Sequence, residues 1–403
     1  MQIAITTFGT AMSHHQDPGK QVGYLQQCLS TDKKPLGLFL GAGCPVSIKI
    51  GTKKEPLIPD VSGITKFVCE SLRACKECGP LLKIVEGHFK TDERSETTVE
   101  DMLSHIRALR AVAGKDKVRE LSAPDLEKLD EKICGIIYEL TKPSLPSSQT
   151  PYHRVASWID DVERDEPVEI FTTNYDLLME EALEDRRVPY FDGFAGTRRP
   201  FFDLRAMEED MLPPRWARLW KLHGSLNWYQ VTGKGVFRGG LTETDKRVIY
   251  PSHLKYEESR RMPYLAMLDR LRAFLKQPTS ALIICGYSFR DKHLNEVIIQ
   301  GLQSTPTSIA FALLHGDIAD YKDAVDLANS RANLNLLAKD GAVIGGQRGD
   351  WTQKDLSLIS ETRWIDWTPV DPKVTNERQK AALKLGDFGT FGDFLQELVG
   401  AKP

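Results

Sequence analysis

Most of the residues able to do chemistry fall in four short clusters, each directly after an apolar run. Gly41-Ala42-Gly43 is a backbone without bulky side chains, so its amides can approach an anion such as a diphosphate closely. It is not an ordinary dinucleotide fingerprint, because Val46 stands where the third glycine belongs. A plain strand-to-helix turn is the competing reading. In Thr172-Thr173-Asn174-Tyr175-Asp176, the Asn174 amide can both donate and accept, and so can hold a hydroxyl or a water. Asn174 also suits a turn, and Asp176 suits a helix cap. His223-Gly224-Ser225 offers a general acid or base near neutral pH, beside two small residues that leave room for a ligand. A satisfied structural histidine is the competing reading. Gly286-Tyr287-Ser288-Phe289-Arg290-Asp291 can lie against a ribose through Gly286 and Ser288, while Asp291 pairs with Arg290 or caps the next helix.

The elements that must hold these clusters are legible as periodicity. The runs 35–40, 167–171, 218–222, 281–285 and 308–314 read as buried strands, and 342–344 as a further one. Residues 64–72, 99–112, 126–140, 152–160 and 177–183 carry helical spacing. Strands alternating with helices predict an α/β fold: a Rossmann-like parallel sheet with helices on both faces and a helical insertion at about 61–150. Ligands of such sheets bind outside the carboxyl ends of the strands, so the four clusters are expected to share one crevice. Residues 1–34 are expected to form an arm with a short helix near 23–29. Residues 35–349 are expected to form the catalytic domain, and 350–403 a segment packed on it or lying at an interface. Trp351, Trp364 and Trp367 fall in that last segment, and aromatic residues are enriched at interfaces.

Composition removes several classes. The formal charge is −3, from 53 basic and 56 acidic side chains, so no basic field for nucleic acid is present. No apolar run approaches the roughly 20 residues of a membrane helix, and no signal peptide is visible at the amino terminus. The seven cysteines are odd in number and without a framework, which predicts free thiols and a cytoplasmic protein. Cys75 and Cys78 make one CxxC pair with no second pair to complete a zinc site. His105 has no evident partner. A phosphate-binding P-loop is excluded, because no Gly-Lys-Ser/Thr ending follows the glycines.

In their order and spacing, Gly41-Ala-Gly43, Thr173-Asn-Tyr-Asp176, Lys221-Leu-His-Gly-Ser225 and Gly286-Tyr-Ser-Phe-Arg-Asp291 resemble sirtuin-like domains. More narrowly they resemble the bacterial branch used in antiphage defence. Val99-Glu-Asp-Met-Leu-Ser104 resembles that branch's acidic helix start, and Gly386-Asp-Phe-Gly-Thr-Phe391 its closing helix, so the resemblance runs from about residue 35 to 398. It implies Asn174 and His223 as catalytic residues, and a site for NAD built from Gly41, Ala42, Gly43, Thr173, Asp176, Gly286 and Ser288. The implied reaction is hydrolysis of NAD to ADP-ribose and nicotinamide, whose depletion halts an infected cell. A module that binds NAD or ADP-ribose without turnover is the alternative, and a deacylase is a weaker one. Deacylases of the family carry a four-cysteine zinc module after the His-Gly motif, whereas here only Cys285 lies beyond His223. No zinc is therefore expected. The second departure is Cys44-Pro45 behind the glycine turn, where many relatives have a nearby serine; here the first is Ser47. The resemblance also implies a homo-oligomer or a second defence protein, such as an ATPase, an Argonaute-like or a nucleotide-pyrophosphatase-like protein.

Overall fold

Short apolar runs become central strands when both faces of a sheet are covered, since neither face then needs polar side chains. The computed structural model of the protein describes residues 14–92, 97–231, 235–239, 246–249, 263–353, 363–369 and 379–400. Leu36–Leu40, Val168–Thr172, Ala217–Lys221 and Ala281–Cys285 are buried at every position. They pair in parallel, continued by Ile309–Leu313 and Leu334–Leu337 on one side and by Tyr190–Phe191 on the other. The fold is mixed α/β and Rossmann-like, a large and mainly parallel sheet flanked by helices.

Strand alternation sends successive side chains to opposite faces. Leu38, Ile170, Leu219 and Ile283 meet the helices Pro18–Ser30, Pro151–Asp161 and Phe388–Leu398 in one core. Phe39, Phe171, Trp220 and Leu282 meet Tyr264–Lys276 and Lys292–Ser304 in a second core on the other face. From Leu36–Leu40 the chain runs outward to Val168–Thr172 and Ala217–Lys221. From Ala281–Cys285, its neighbour on the other side, the chain runs the opposite way. The carboxyl ends of Leu36–Leu40 and Ala281–Cys285 therefore flank a topological switch point, where a crevice opens in such sheets.

Beyond the parallel part the sheet turns antiparallel. Gly341–Ile344, the strand expected at 342–344, pairs antiparallel with Leu334–Leu337, which the sequence reading did not anticipate. Three residues separate the two strands, far too few for a parallel crossover. Gln347–Gln353, Gln379–Leu383 and Ile365–Pro369 extend this edge, and His14–Gln16 adds to it in parallel. The helix expected near 23–29 spans Pro18–Ser30 and buries Val22, Leu25 and Leu29 in the first core. Its N-cap is Asp17, which accepts from the Gly19 and Lys20 amides. Residues 1–13 of the expected arm lie outside the described residues. Trp351 and Trp364 are buried within the chain, Trp351 donating to the Ala338 carbonyl at 2.8 Å, so neither offers an exposed aromatic face.

The insertion folds as four helices, Val61–Ala74, Cys78–Thr91, Val99–Val112 and Ala123–Thr141, around a third core that includes Leu72, Leu82, Leu103 and Ile133. Capping boxes at Thr98 with Asp101 and at Ser122 with Asp125 start the last two. Cys75 and Cys78 are free thiols at the first inter-helix turn. His105 meets His88 at 3.0 Å, a partner the sequence did not suggest. Among the described residues, no helix is long and apolar enough to cross a membrane.

Candidate active site

The crevice is built on two turns packed backbone to backbone. The Gly41 amide donates to the Cys285 carbonyl at 2.9 Å, and the Gly43 amide to the Gly286 carbonyl at 2.8 Å. A Cβ on Gly41 would sit 2.3 Å from the Gly286 oxygen, and one on Gly286 would sit 2.6 Å from the Cys44 nitrogen. Gly286 also has φ +66, a left-handed angle that disfavours other residues. The glycines are thus required by the contact between the turns. This contact also engages two of the three amides expected to face a phosphate. The Ala42 amide is the one left without a backbone carbonyl partner among the described residues.

Asn174 is fixed over this floor. Its Nδ2 donates to the Gly41 carbonyl at 3.1 Å, while its backbone amide donates to Thr172 Oγ1, which itself bonds the Leu40 carbonyl. The Thr173 amide reaches the same Leu40 carbonyl at 3.3 Å. With Nδ2 engaged, Oδ1 of Asn174 is the acceptor that remains to orient a hydroxyl or water. Tyr152, at the start of Pro151–Asp161, brings its hydroxyl up to the Asn174 side chain without a well-formed hydrogen bond. Burial pushes that phenol well above its ordinary pKa, with further contributions from Asp176 and Cys44.

Asp176 lies below Asn174 and accepts from the Leu178 amide at 3.1 Å, at the entry to Leu178–Asp185. Burial raises its pKa to about 6, and Lys221 works in the opposite direction. Lys221 ends its strand fully buried. Its ammonium donates to the Asp176 carbonyl and to Glu180 Oε1, the latter at 2.9 Å. In the sequence Lys221 falls within the apolar run expected as a strand at 218–222. A charge inside such a run was the available signal that it points into a polar site.

His223 follows on the next strand end and is buried. Its Nε2 lies 3.1 Å from Asp291 Oδ2, and the Tyr175 ring stands beside it at 6.4 Å between centroids. The Tyr175 hydroxyl and Ser225 Oγ are buried without a hydrogen bond among the described residues. Glu100 and Arg107 on the insertion helix Val99–Val112 and Cys134 on Ala123–Thr141 also act electrostatically on Tyr175. Burial, then Glu100 and Asp291, raises the Tyr175 phenol well above its usual range. The structure therefore brings Gly41, Ala42, Gly43, Thr173, Asn174, Asp176, His223 and Gly286 to the carboxyl ends of four adjacent strands. Ser288 is on the same turn but has an exposed side chain. Tyr152 and the pairing of Asp291 with His223 are additions that no local sequence pattern marks. Among the described residues, no three His, Cys, Asp or Glu side chains are grouped to hold a metal.

A family model described as SIR2-like domain matches residues 168–336, which include the Asn174, His223 and Asp291 segments. This supports a sirtuin-like family. Solved structures of Sir2 proteins are similar to the chain at low identity. One, described as a structural basis for the mechanism and regulation of Sir2 enzymes, is 13% identical, covering 75% of this chain and 88% of its own, with a TM-score of 0.33. Another, on the structural basis of sirtuin substrate affinity, is 12% identical, covering 73% and 87%, with a TM-score of 0.32. A mutant Sir2 homologue in complex with ADP-ribose is 14% identical, covering 72% and 83%, with a TM-score of 0.30. No curated protein matches the chain.

Proposed function

We propose that the protein is an NAD glycohydrolase, cleaving NAD to ADP-ribose and nicotinamide. The observation that carries this reading is the crevice at the switch point. There Asn174 and His223 follow the ends of two paired strands, beside buried hydroxyls of Tyr152, Tyr175 and Ser225 that lack partners among the described residues. Buried polar atoms cost free energy when unpaired, so a polar ligand that reaches them is strongly favoured. The SIR2-like match favours NAD as that ligand.

The chemistry is modest in its demands. The pyridinium nitrogen of NAD is already positive, so nicotinamide leaves as a neutral molecule and no strong acid is needed. The bond from the ribose anomeric carbon to that nitrogen breaks, positive charge develops on the ribose, and a water oxygen forms the new bond. The water proton passes to a base. In this reading Asn174 Oδ1 orients the water or a ribose hydroxyl, His223 takes the proton, and the Ala42 amide with the glycine floor holds the diphosphate. Thr173, Asp176 and Gly286 line the remaining wall, and Ser288 borders the adenosine side. With Cys285 the only cysteine after His223, the four-cysteine zinc module of a deacylase has no ligands. We further propose that the enzyme acts as a cytoplasmic effector of antiphage defence, held silent as an oligomer or by a second defence protein.

The test is to incubate the chain with NAD, alone and with its defence partner, and to separate nicotinamide and ADP-ribose by chromatography beside an Asn174→Ala control. Release of both products, lost in the control, supports the reading. Tight NAD binding with no release in either condition assigns the chain to the sensing class instead.

A further inference from the structure

We propose that Asp291 is the positioning residue for His223, fixing its ring so that Nδ1 is the nitrogen that takes the proton; this rests on the hydrolase reading above. Asp291 is the N-cap of Lys292–Ser304, where Oδ1 accepts from the His293 amide at 3.1 Å and from Leu294 at 3.2 Å. A helix cap uses one side-chain oxygen, and serine, threonine or asparagine serve equally well. The second oxygen, Oδ2, reaches His223 on a different strand end at 3.1 Å, and both side chains are nearly buried, at 9% and 12% exposure.

The turn carrying Asp291 is braced far beyond the needs of a cap. The Tyr287 hydroxyl shares its one proton between Asn295 Oδ1 at 2.9 Å and the Asp291 carbonyl at 3.2 Å. Asn295 Nδ2 in turn donates to the Phe289 carbonyl at 2.7 Å. Phe289 is buried at φ +59, a left-handed angle that a bulky residue holds only where its surroundings enforce it. One carboxylate oxygen is thus locked by two helix amides on a rigid turn, which fixes the direction of the other.

The chemistry follows from what a carboxylate can do. It accepts hydrogen bonds only, so the imidazole nitrogen facing it carries the proton. His223 is then the Nε2–H tautomer, with the lone pair on Nδ1. When Nδ1 takes the water proton, the adjacent carboxylate stabilises the imidazolium that forms. Carboxylates that orient metal-ligating histidines are worth about 10–100-fold in activity, and an effect of at least that order is expected here.

The full chain with Asp291→Asn and Asp291→Glu tests the assignment. Asparagine still caps the helix, so the melting temperature of Asp291→Asn is expected to hold. Its kcat for NAD cleavage is expected to fall about 10–100-fold with KM nearly unchanged, and Asp291→Glu is expected to recover part of it. Nitrogen NMR of the histidine rings gives a readout besides turnover. The parent chain should show His223 as Nε2–H, and Asp291→Asn should lose that single tautomer. Unchanged kcat in Asp291→Asn, or an Nδ1–H tautomer in the parent, overturns the proposal. A parent chain with the Nε2–H tautomer but no nicotinamide release, with or without its partner, upholds the pairing and removes the hydrolase reading.

Discussion

The same pair of strands carries two buried polar clusters of opposite character. Near the amino ends of Val168–Thr172 and Ala217–Lys221, Glu169 stands opposite Arg218 in the ladder; at the carboxyl ends Thr172 stands opposite Lys221. The first cluster is largely paired within itself, with Arg270 Nε and Trp216 Nε1 left over among the described residues. Trp220 Nε1 donates to Glu169 at 2.7 Å, Arg270 joins Glu169 to Asp210, and Arg218 bonds Asp210 and the carbonyls of Leu212, Pro213 and Trp216. The second cluster is left open, with buried hydroxyls of Tyr152, Tyr175 and Ser225 unpaired among the described residues. A closed network holds a fold in one arrangement, whereas an open one of similar burial is completed by something that binds. Burial and charge alone do not tell a site from a strut.

The comparison can be broken most directly at its two centres. His223→Ala is expected to lower nicotinamide release by about 10²–10⁴-fold. Full turnover by that variant at saturating NAD would place the chemistry elsewhere. Glu169→Ala does the reverse. Removing one partner of a buried ionic network is expected to cost about 3–5 kcal/mol of stability, seen in denaturant titration, while the folded fraction turns over NAD normally. Should Glu169→Ala abolish turnover in protein that remains folded, the closed cluster is no mere strut.

Asp176 gives a pH signature. Its folded pKa is raised by burial to about 6, above the unfolded carboxylate value of about 3.9. Its contribution to stability is therefore complete below the unfolded value and is lost as pH rises through about 6. Asp176→Asn is expected to lack that loss, so the stability difference between variant and parent should move in the variant's favour from pH 4 to pH 7. Equal pH slopes would show that the carboxyl is ordinary. The smallest effect is expected from Tyr152→Phe, which removes an unpaired hydroxyl. Stability is expected to change by less than about 0.5 kcal/mol, while NAD binding, read by calorimetry, weakens by about tenfold from the loss of one hydrogen bond. Unaltered NAD affinity would move Tyr152 out of the site.

The parallel sheet was legible because its strands are uniform apolar runs ending in small or polar residues. Ala281–Cys285 agrees with the expected bounds at both ends. Leu334–Leu337 was not legible: Asn335 interrupts a four-residue stretch that lacks its own helix-strand rhythm. The antiparallel edge was equally hidden, since pairing direction depends on connection length and tertiary neighbours. Within the site, the glycines, Asn174, Asp176 and His223 announced themselves at strand ends. Tyr152 did not, because its place beside Asn174 depends on how Pro151–Asp161 packs across the sheet. Asp291 was readable as a cap, but its second oxygen meets a residue distant in the chain, a relation that local spacing does not encode.

The contact between the two glycine turns has a consequence for how the protein is made. Cys44 and Cys285, whose thiol and carbonyl meet at 3.5 Å, are 241 positions apart. The central ladder between Leu36–Leu40 and Ala281–Cys285 spans a similar interval. Closing so long a loop is slow, and the first turn has nothing to rest on until its partner has been synthesised. A ribosome that has not yet passed Asp291 therefore carries a chain with half a crevice. On the proposed hydrolase reading, the order of the strands alone would keep the chain inactive until that point in translation.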